Sequence, residues 1–324
     1  MSFSFAETSI PSVIAGLLGA IDVDGGPTDD QLRVLGAISA HLFHVPADGF
    51  DATARLLADE LSEALTDEVE RRRFHEILVT LECCRHPLGD NQVKAVEEYA
   101  SALGVESPDL QLFRSFIDNS RQQAAEDFDR FFSDVLPLRS EPSLPGVAPA
   151  DERDEDLAGR LRALGDLEPG TLGHEFVEFY RRAGIPLPGS TASSLNHFYV
   201  AHDMTHVIAG IEPTGPGEIA LSAFQMTMND NAVNRAALLS SLIFHEAGFG
   251  NVATRAGEAS ILERDGAAEL LGEEMERGAA CTGDFSLVDH FALAPLPLEE
   301  VRRRFGVPAP KRPDDGHHFW TGTD

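Results

Sequence analysis

Four side chains in the C-terminal half of this 324-residue chain are spaced to hold one metal ion: His202, Asp203, His206 and Glu218, within HDMTHVIAGIEPTGPGE. On a helix, residues i and i+4 share a face, so the imidazoles of His202 and His206 can bind one ion together. Asp203 lies about 100° round the helix. There its carboxylate either becomes a third ligand or accepts from an imidazole N–H behind the ion. The chain then meets Gly210, Pro213, Gly215, Pro216 and Gly217, residue types that end a helix and turn the backbone. Glu218 opens the next apolar run, IALSAFQM, and so falls in the first turn of a returning helix that faces the histidine pair. Two neutral imidazoles with carboxylate oxygens make a divalent site that suits zinc best and also suits ferrous iron or manganese; no cysteine is needed. A bare His-x-x-x-His pair also occurs as core histidines without metal. The adjacent Asp203 and the glutamate beyond the Gly/Pro loop favour the metal.

The same residues carry a family likeness. The chain resembles the ubiquinone-biosynthesis family called coenzyme Q protein four, whose signature is His-Asp-x-x-His, eleven residues, then Glu, matched here from His202 to Glu218. Upstream, LEPGTLGHEFVEFY at 167–180 is similar to that family's Leu-Pro-x-Gly-Ser/Thr-Leu-Gly segment leading into an aromatic helix. Downstream, LPLEEVRRRFGVPAP at 296–310 is similar to its closing helix. The likeness covers residues 155–310, and FHEAGFG at 244–250 has no counterpart in the family's pattern. It implies a metal-dependent protein of quinone (ubiquinone-like) biosynthesis that acts on, or presents, an apolar or polyprenylated aromatic ring. The reaction connected with the family replaces a ring carboxylate by a hydroxyl, an oxidative decarboxylation. In that setting the metal takes a ring carboxylate or phenolate oxygen, and Glu218 or Asp203, once released from the ion, serves as the acid/base group. Other quinone-biosynthesis proteins are the implied partners.

Two further readings of these residues stand beside this one. His202-Asp203 also resembles the core of a metal phosphohydrolase, with His174 upstream and Asp265 or Asp289 downstream as the remaining ligands. Alternatively, four protein ligands close a tetrahedral zinc with no place for substrate, which makes a metal-stabilised scaffold or lipid-binding protein.

The elements that must position these residues are helical by pattern, and strand signals are nearly absent, so the expected fold class is all-α. QLRVLGAISAHLF, ATARLLADELSEAL, RRRFHEILVTLECC, NQVKAVEEYASALG and DLQLFRSFIDNSRQQAAEDF repeat apolar residues at three and four in the N-terminal part. IDVDGGPTDDQLRVLGAISAHLF and RHPLGDNQVKAVEEYASALGV each set a Gly/Asp turn before a helix, with Asp29 or Asp90 placed to cap it. That recurrence resembles the tellurite-resistance TerB-like helical fold. Members of that fold can carry metal at acidic turns, but capping explains Asp22, Asp24, Asp29 and Asp30 without an ion. Pro137, Pro142, Pro145 and Pro149 crowd beside charge between 133 and 155 and read as a linker. The expected organisation is a TerB-like domain at 1–135, a Pro-rich acidic linker at 136–155 and a metal-binding domain at 156–324.

In that last part Phe176, Phe179, Tyr180 and Ala183 make one helical stripe and Leu195, Phe198, Tyr199, His202 and His206 another. Ala232–Ala247, Ala256–Met275 and Leu298–Phe305 complete the expected helices. The ligands continue an apolar face inward, where desolvation keeps imidazole neutral and able to coordinate. His41, His44 and His75-Glu76 read as half-buried side chains outside the site; His245-Glu246 and Glu258 are the remaining candidates for chemistry, with His245 read as a buried histidine bonded to backbone and not as a ligand.

The net charge of −29 argues against nucleic acid and against electrostatic docking on anionic lipid. With 43% hydrophobic residues there is material for a sizeable core. Three cysteines, Cys83 and Cys84 adjacent, form no disulfide framework and suit a reducing cytoplasm. SIPSVIAGLLGAI has no basic flank or cleavage pattern, and no apolar run reaches the roughly 20 residues that span a bilayer. The expectation is a cytoplasmic protein, with peripheral contact at the inner face of the membrane and the oligomeric state left open.

Overall fold

Capping side chains set where most helices begin. A computed structural model describes residues 3–320 except 47, 48, 50, 87, 106–137, 145, 147, 149, 249–258 and 314. Among the described residues there are thirteen α-helices and no strand, as the all-α expectation requires. In chain order they are α1 Ile10–Ile21, α2 Asp29–His41, α3 Ala58–Ala64, α4 Glu68–Cys83, α5 Asp90–Leu103, α6 Glu155–Leu164 and α7 Leu172–Ala183. There follow α8 Asn196–Ala209, α9 Gly215–Met228, α10 Ala232–Ser241, α11 Ala267–Ala280, α12 His290–Leu293 and α13 Leu298–Phe305. A π-turn, Leu242–Glu246, extends α10, and a short 3-10 turn, Ile261–Glu263, precedes α11.

Thr28, Asp67, Asp154, Thr171, Thr214, Asn231 and Asp289 each accept a backbone N–H in the first turn of α2, α4, α6, α7, α9, α10 and α12. The expected caps Asp29 and Asp90 are instead the first helical residues. Thr28 caps α2 in a reciprocal pair with Gln31, and Gly89 precedes α5 with no side-chain cap. Residues 52–57, expected to be helical, are not. Thr53 and Arg55 fold back on Asp51 and on the Ala52 and Ala54 carbonyls, which gives the backbone another set of partners. The predicted 109–128 helix and Glu258 lie outside the described residues.

The buried apolar side chains form two clusters. One joins residues of α1–α5 to Ile219, Ala223 and Met226 of α9 and to Ala268, Leu271 and Met275 of α11. The other unites α6–α8, the opposite side of α9 and α13 through Leu161, Phe176, Phe179, Met204, Leu221, Phe224 and Val301. Helix α9, which carries Glu218, is therefore buried on both sides. The described residues of the 136–155 stretch are also partly inside. Glu141 is fully buried against His290, Oε2 to Nδ1 at 2.8 Å, and buried Arg139 donates to Gln225 of α9. No helix among the described residues is long and apolar enough to cross a membrane.

Candidate metal centre

Helix α8 presents His202, Asp203 and His206, and its end decides where Glu218 falls. Gly210 terminates α8 in the left-handed conformation, φ 72°, which a side-chain-bearing residue adopts at a cost. Four residues later Thr214 caps α9, its Oγ1 accepting from the Gly217 N–H at 3.1 Å, with Pro216 in the first turn. This tight reversal places Glu218 in the first turn of α9, with one carboxylate oxygen on each ring: Oε2 is 3.0 Å from His202 Nε2, and Oε1 is 3.4 Å from His206 Nε2. Deeper in the same interface, Gln225 of α9 donates to Thr205 of α8 at 2.7 Å and fixes the register of the two helices.

One donor atom each from His202, Asp203 and His206 lies within 4.8 Å of the others. Three of the four expected residues thus form one close group, and Glu218 touches both of its imidazoles. The rings stand edge to face, 4.9 Å between centroids and 84° between planes. Phe198 stacks on His202 at 5.0 Å and Phe179 on His206 at 5.6 Å. Side-chain exposure grades the site: His206 0%, His202 12%, Glu218 24%. The site therefore opens on the His202 and Glu218 side, beside exposed Tyr199.

Hydrogen bonding fixes what each group can offer. His206 Nδ1 lies 2.9 Å from the Ile211 carbonyl oxygen, an acceptor, so Nδ1 carries a hydrogen, and in the neutral ring Nε2 keeps its lone pair. That buried Nε2 has no hydrogen-bond partner, its approach to Glu218 being long and poorly aligned; His202 Nδ1 is buried and unpaired too. An orphaned His206 Nε2, the His202 imidazole and the carboxylates of Asp203 and Glu218 are donor types a divalent cation takes, and the residues present fit the group. Tyr180 Oη donates to Asp203 Oδ2, which holds one oxygen of that carboxylate and leaves the other.

The protonation of these side chains follows from burial and neighbours. Burial raises the Asp203 carboxyl above its ordinary range, against the pull of His202 and His206 and the Tyr180 hydrogen bond. Burial also works against charge on Glu218. The His206 charge and the hydrogen bond from His202 prevail and hold that carboxyl well below the usual range. His206 is disfavoured as a cation by burial yet raised overall by Glu218 and Asp203. Burial next to Asp203 pushes the Tyr180 phenol up, so it stays a hydrogen-bond donor.

The residues of the phosphohydrolase reading are not gathered here. His174 Nδ1 bonds to the Gly165 carbonyl, Asp289 caps α12 and Asp265 lies exposed in a turn. The acidic turn is likewise committed to protein contacts: Asp22 pairs with Arg55, Asp30 with Arg33, and Asp24 accepts from Asn91. Sequence reasoning placed Tyr180 on an apolar stripe and missed its hydroxyl; the signal was a polar end on an aromatic stripe one helix away from Asp203. It also left His41 aside, although His41, Glu269 and Glu273 form a second close group between α2 and α11. Those side chains are engaged with one another, Lys311 and Arg312.

No protein-family model matches the chain, and no curated protein does. Among solved structures, a Nostoc punctiforme protein provisionally assigned to ubiquinone biosynthesis aligns with 72% of this chain and 98% of its own, at 16% identity and a TM-score of 0.33.

Proposed function

We propose that this is a metal-dependent protein of quinone (ubiquinone-like) biosynthesis acting on an apolar aromatic ring precursor, with His202, Asp203, His206 and Glu218 holding the cation. The observation that supports it is the Glu218 carboxylate, 3.0 and 3.4 Å from the two imidazoles across the α8–α9 turn. Zinc is the favoured cation, because nitrogen and carboxylate donors at close quarters suit it. When bound, the cation supplies a Lewis-acid position beside a ring carboxylate or phenolate oxygen.

The chain's own residues do the rest. The Ile211 carbonyl fixes the His206 tautomer, and Tyr180 orients Asp203. Phe179 and Phe198 stack on the imidazoles and shield them from water. Glu218, the most exposed of the three ligands that touch one another, is the group placed to exchange a proton with a ring held at that opening. The reaction class the family likeness implies, oxidative decarboxylation of the ring, takes an external oxidant. We place the protein in the cytoplasm, in peripheral contact with the membrane that stores such precursors.

Elemental analysis of protein purified without chelator, paired with mass spectrometry of co-purifying lipid, tests the reading. About one equivalent of a divalent metal is expected, most of it lost in Glu218→Ala. Unchanged metal content in that variant, or neither metal nor apolar ligand in the native protein, would overturn it.

A further inference from the structure

The last described residues run back across the metal centre. The amide of Phe319 donates to the Gly210 carbonyl at 2.9 Å, and the amide of Glu212 donates to the His317 carbonyl at 2.8 Å. These two bonds bracket Ile211, which pairs antiparallel with His318. The Ile211 carbonyl is the acceptor that fixes Nδ1–H on His206. The peptide unit that contains that carbonyl, through its Glu212 N–H, and the unit before it, through the Gly210 carbonyl, are therefore both held by the C-terminal segment. His317 Nδ1 also lies 3.2 Å from Oγ1 of Thr214, the residue that caps the helix bearing Glu218.

The segment is anchored by chemistry that surface coil does not have. His318 has a fully buried side chain between two carboxylates, Nε2 3.0 Å from Glu274 and Nδ1 3.0 Å from Asp315. Trp320 lies under Arg302, 3.6 Å from guanidinium to ring, and the same arginine donates to the Val207 and Ile208 carbonyls at the end of α8. Arg277, which faces His318 through their shared partner Glu274, donates to the next carbonyl, Ala209. Phe319 packs on Phe179, the ring stacked against His206, with Arg182 on its face. A Cβ at Gly210 would come within 2.9 Å of both the Phe319 oxygen and Trp320 Cε3, so the strap and the turn are fitted to each other.

We propose that residues 315–320 are a positioning strap for the metal centre, with His318 as its anchor, acting through the Ile211 carbonyl on His206. The inference rests on the metal-site reading of His206 and Glu218. Outer-shell partners that fix a ligand's tautomer are worth about 10- to 100-fold in metal affinity, and the strap is expected to carry that much.

The test compares native protein with His318→Gln and, as a gentler opening of the strap, Asp315→Asn. Nitrogen-15 spectra of the histidine rings in metal-free protein at alkaline pH read the His206 tautomer, amide exchange at Glu212 and Phe319 reads strap attachment, and Co2+ titration reads affinity. The expected result is faster exchange, a His206 ring no longer held as the single Nδ1–H tautomer, and Co2+ binding weakened about 10- to 100-fold with a shifted visible spectrum. A detached strap with the His206 tautomer intact overturns the inference, in either variant. Native protein that binds no Co2+ removes the metal-site reading instead, and the tautomer still decides the strap.

Discussion

Tyr180 makes the clearest single-residue case. Its hydroxyl is the donor for a buried carboxylate that burial already pushes toward protonation. Tyr180→Phe keeps the ring packing against Phe176 and Phe179 and removes only the donor. The expected cost is about 1–3 kcal/mol of stability, the penalty for a buried polar group left unpaired. Metal affinity is expected to fall as well, and denaturation together with metal titration checks both; a variant as stable as the native protein would show that Asp203 does not depend on the phenol. Glu76 gives a pH dependence. Burial first, then Asp230, pushes its carboxyl up to about 8, against Arg235 at 3.0 Å. An unfolded glutamate titrates at about 4.3. The folded chain thus holds an extra proton between those values, and this contribution to stability falls as pH rises through that window. Glu76→Gln is expected to show a flatter stability profile than native protein in urea titrations over the same range, whereas parallel profiles would contradict the assignment. At this scale the sequence was legible where partners are near in chain order. His202, Asp203, His206 and Glu218 sit within one helix, one turn and one cap. Tyr180 and the His41 group depend on how distant helices pack, which no spacing reports.

Helices are legible for the same reason: periodicity and caps are local. Helix α13 falls on its expected span, Leu298–Phe305, where an apolar stripe is bounded by Pro297 and by Gly306 in the left-handed region. The 232–247 stretch shows the limit, because α10 gives way at Ser241 to a π-turn whose Glu246 is buried against His86 and the Leu262 amide. Tertiary partners there override the repeat. The approach of α9 to α11 has a cause in residue size. Gly278 of α11 faces the Phe224 carbonyl inside the distance any Cβ could occupy, and Thr227 of α9 donates to the Met275 carbonyl at 2.8 Å. Gly278→Ala must push the two helices apart, at an expected cost of about 1–3 kcal/mol. Gly159→Ala in α6, whose nearest neighbour would be 3.9 Å away, is expected to stabilise by about 0.4–1 kcal/mol through the unfolded chain. Thermal denaturation of the pair decides the matter: equal shifts would mean that backbone proximity at Gly278 has no weight.

For the molecule as a whole, apolar packing crosses the 136–155 stretch. Helix α11 lies on α2 so closely that a Cβ at Gly272 would come within 2.7 Å of the Ala37 carbonyl oxygen. Ile219, Ala223 and Met226 of α9 and Ala268, Leu271 and Met275 of α11 complete the cluster of α1–α5. Linker composition is visible in sequence; which side of a shared helix faces which partner is not, because α9 has apolar residues on both of its buried sides. A fragment of residues 156–324 would expose that whole side of α9 and α11. At about 25 cal/mol per Å² of apolar surface, burying a single large aliphatic side chain contributes about 1.5–3 kcal/mol, so losing several exceeds the stability of an ordinary domain. The fragment is therefore expected to be insoluble or to bind a hydrophobic dye strongly, and to lose the metal centre, since Glu218 shares a helix with the exposed residues. Co-expression with residues 1–135 is expected to restore solubility. A well-folded, metal-binding 156–324 fragment would instead show that the second cluster alone holds α9 in place.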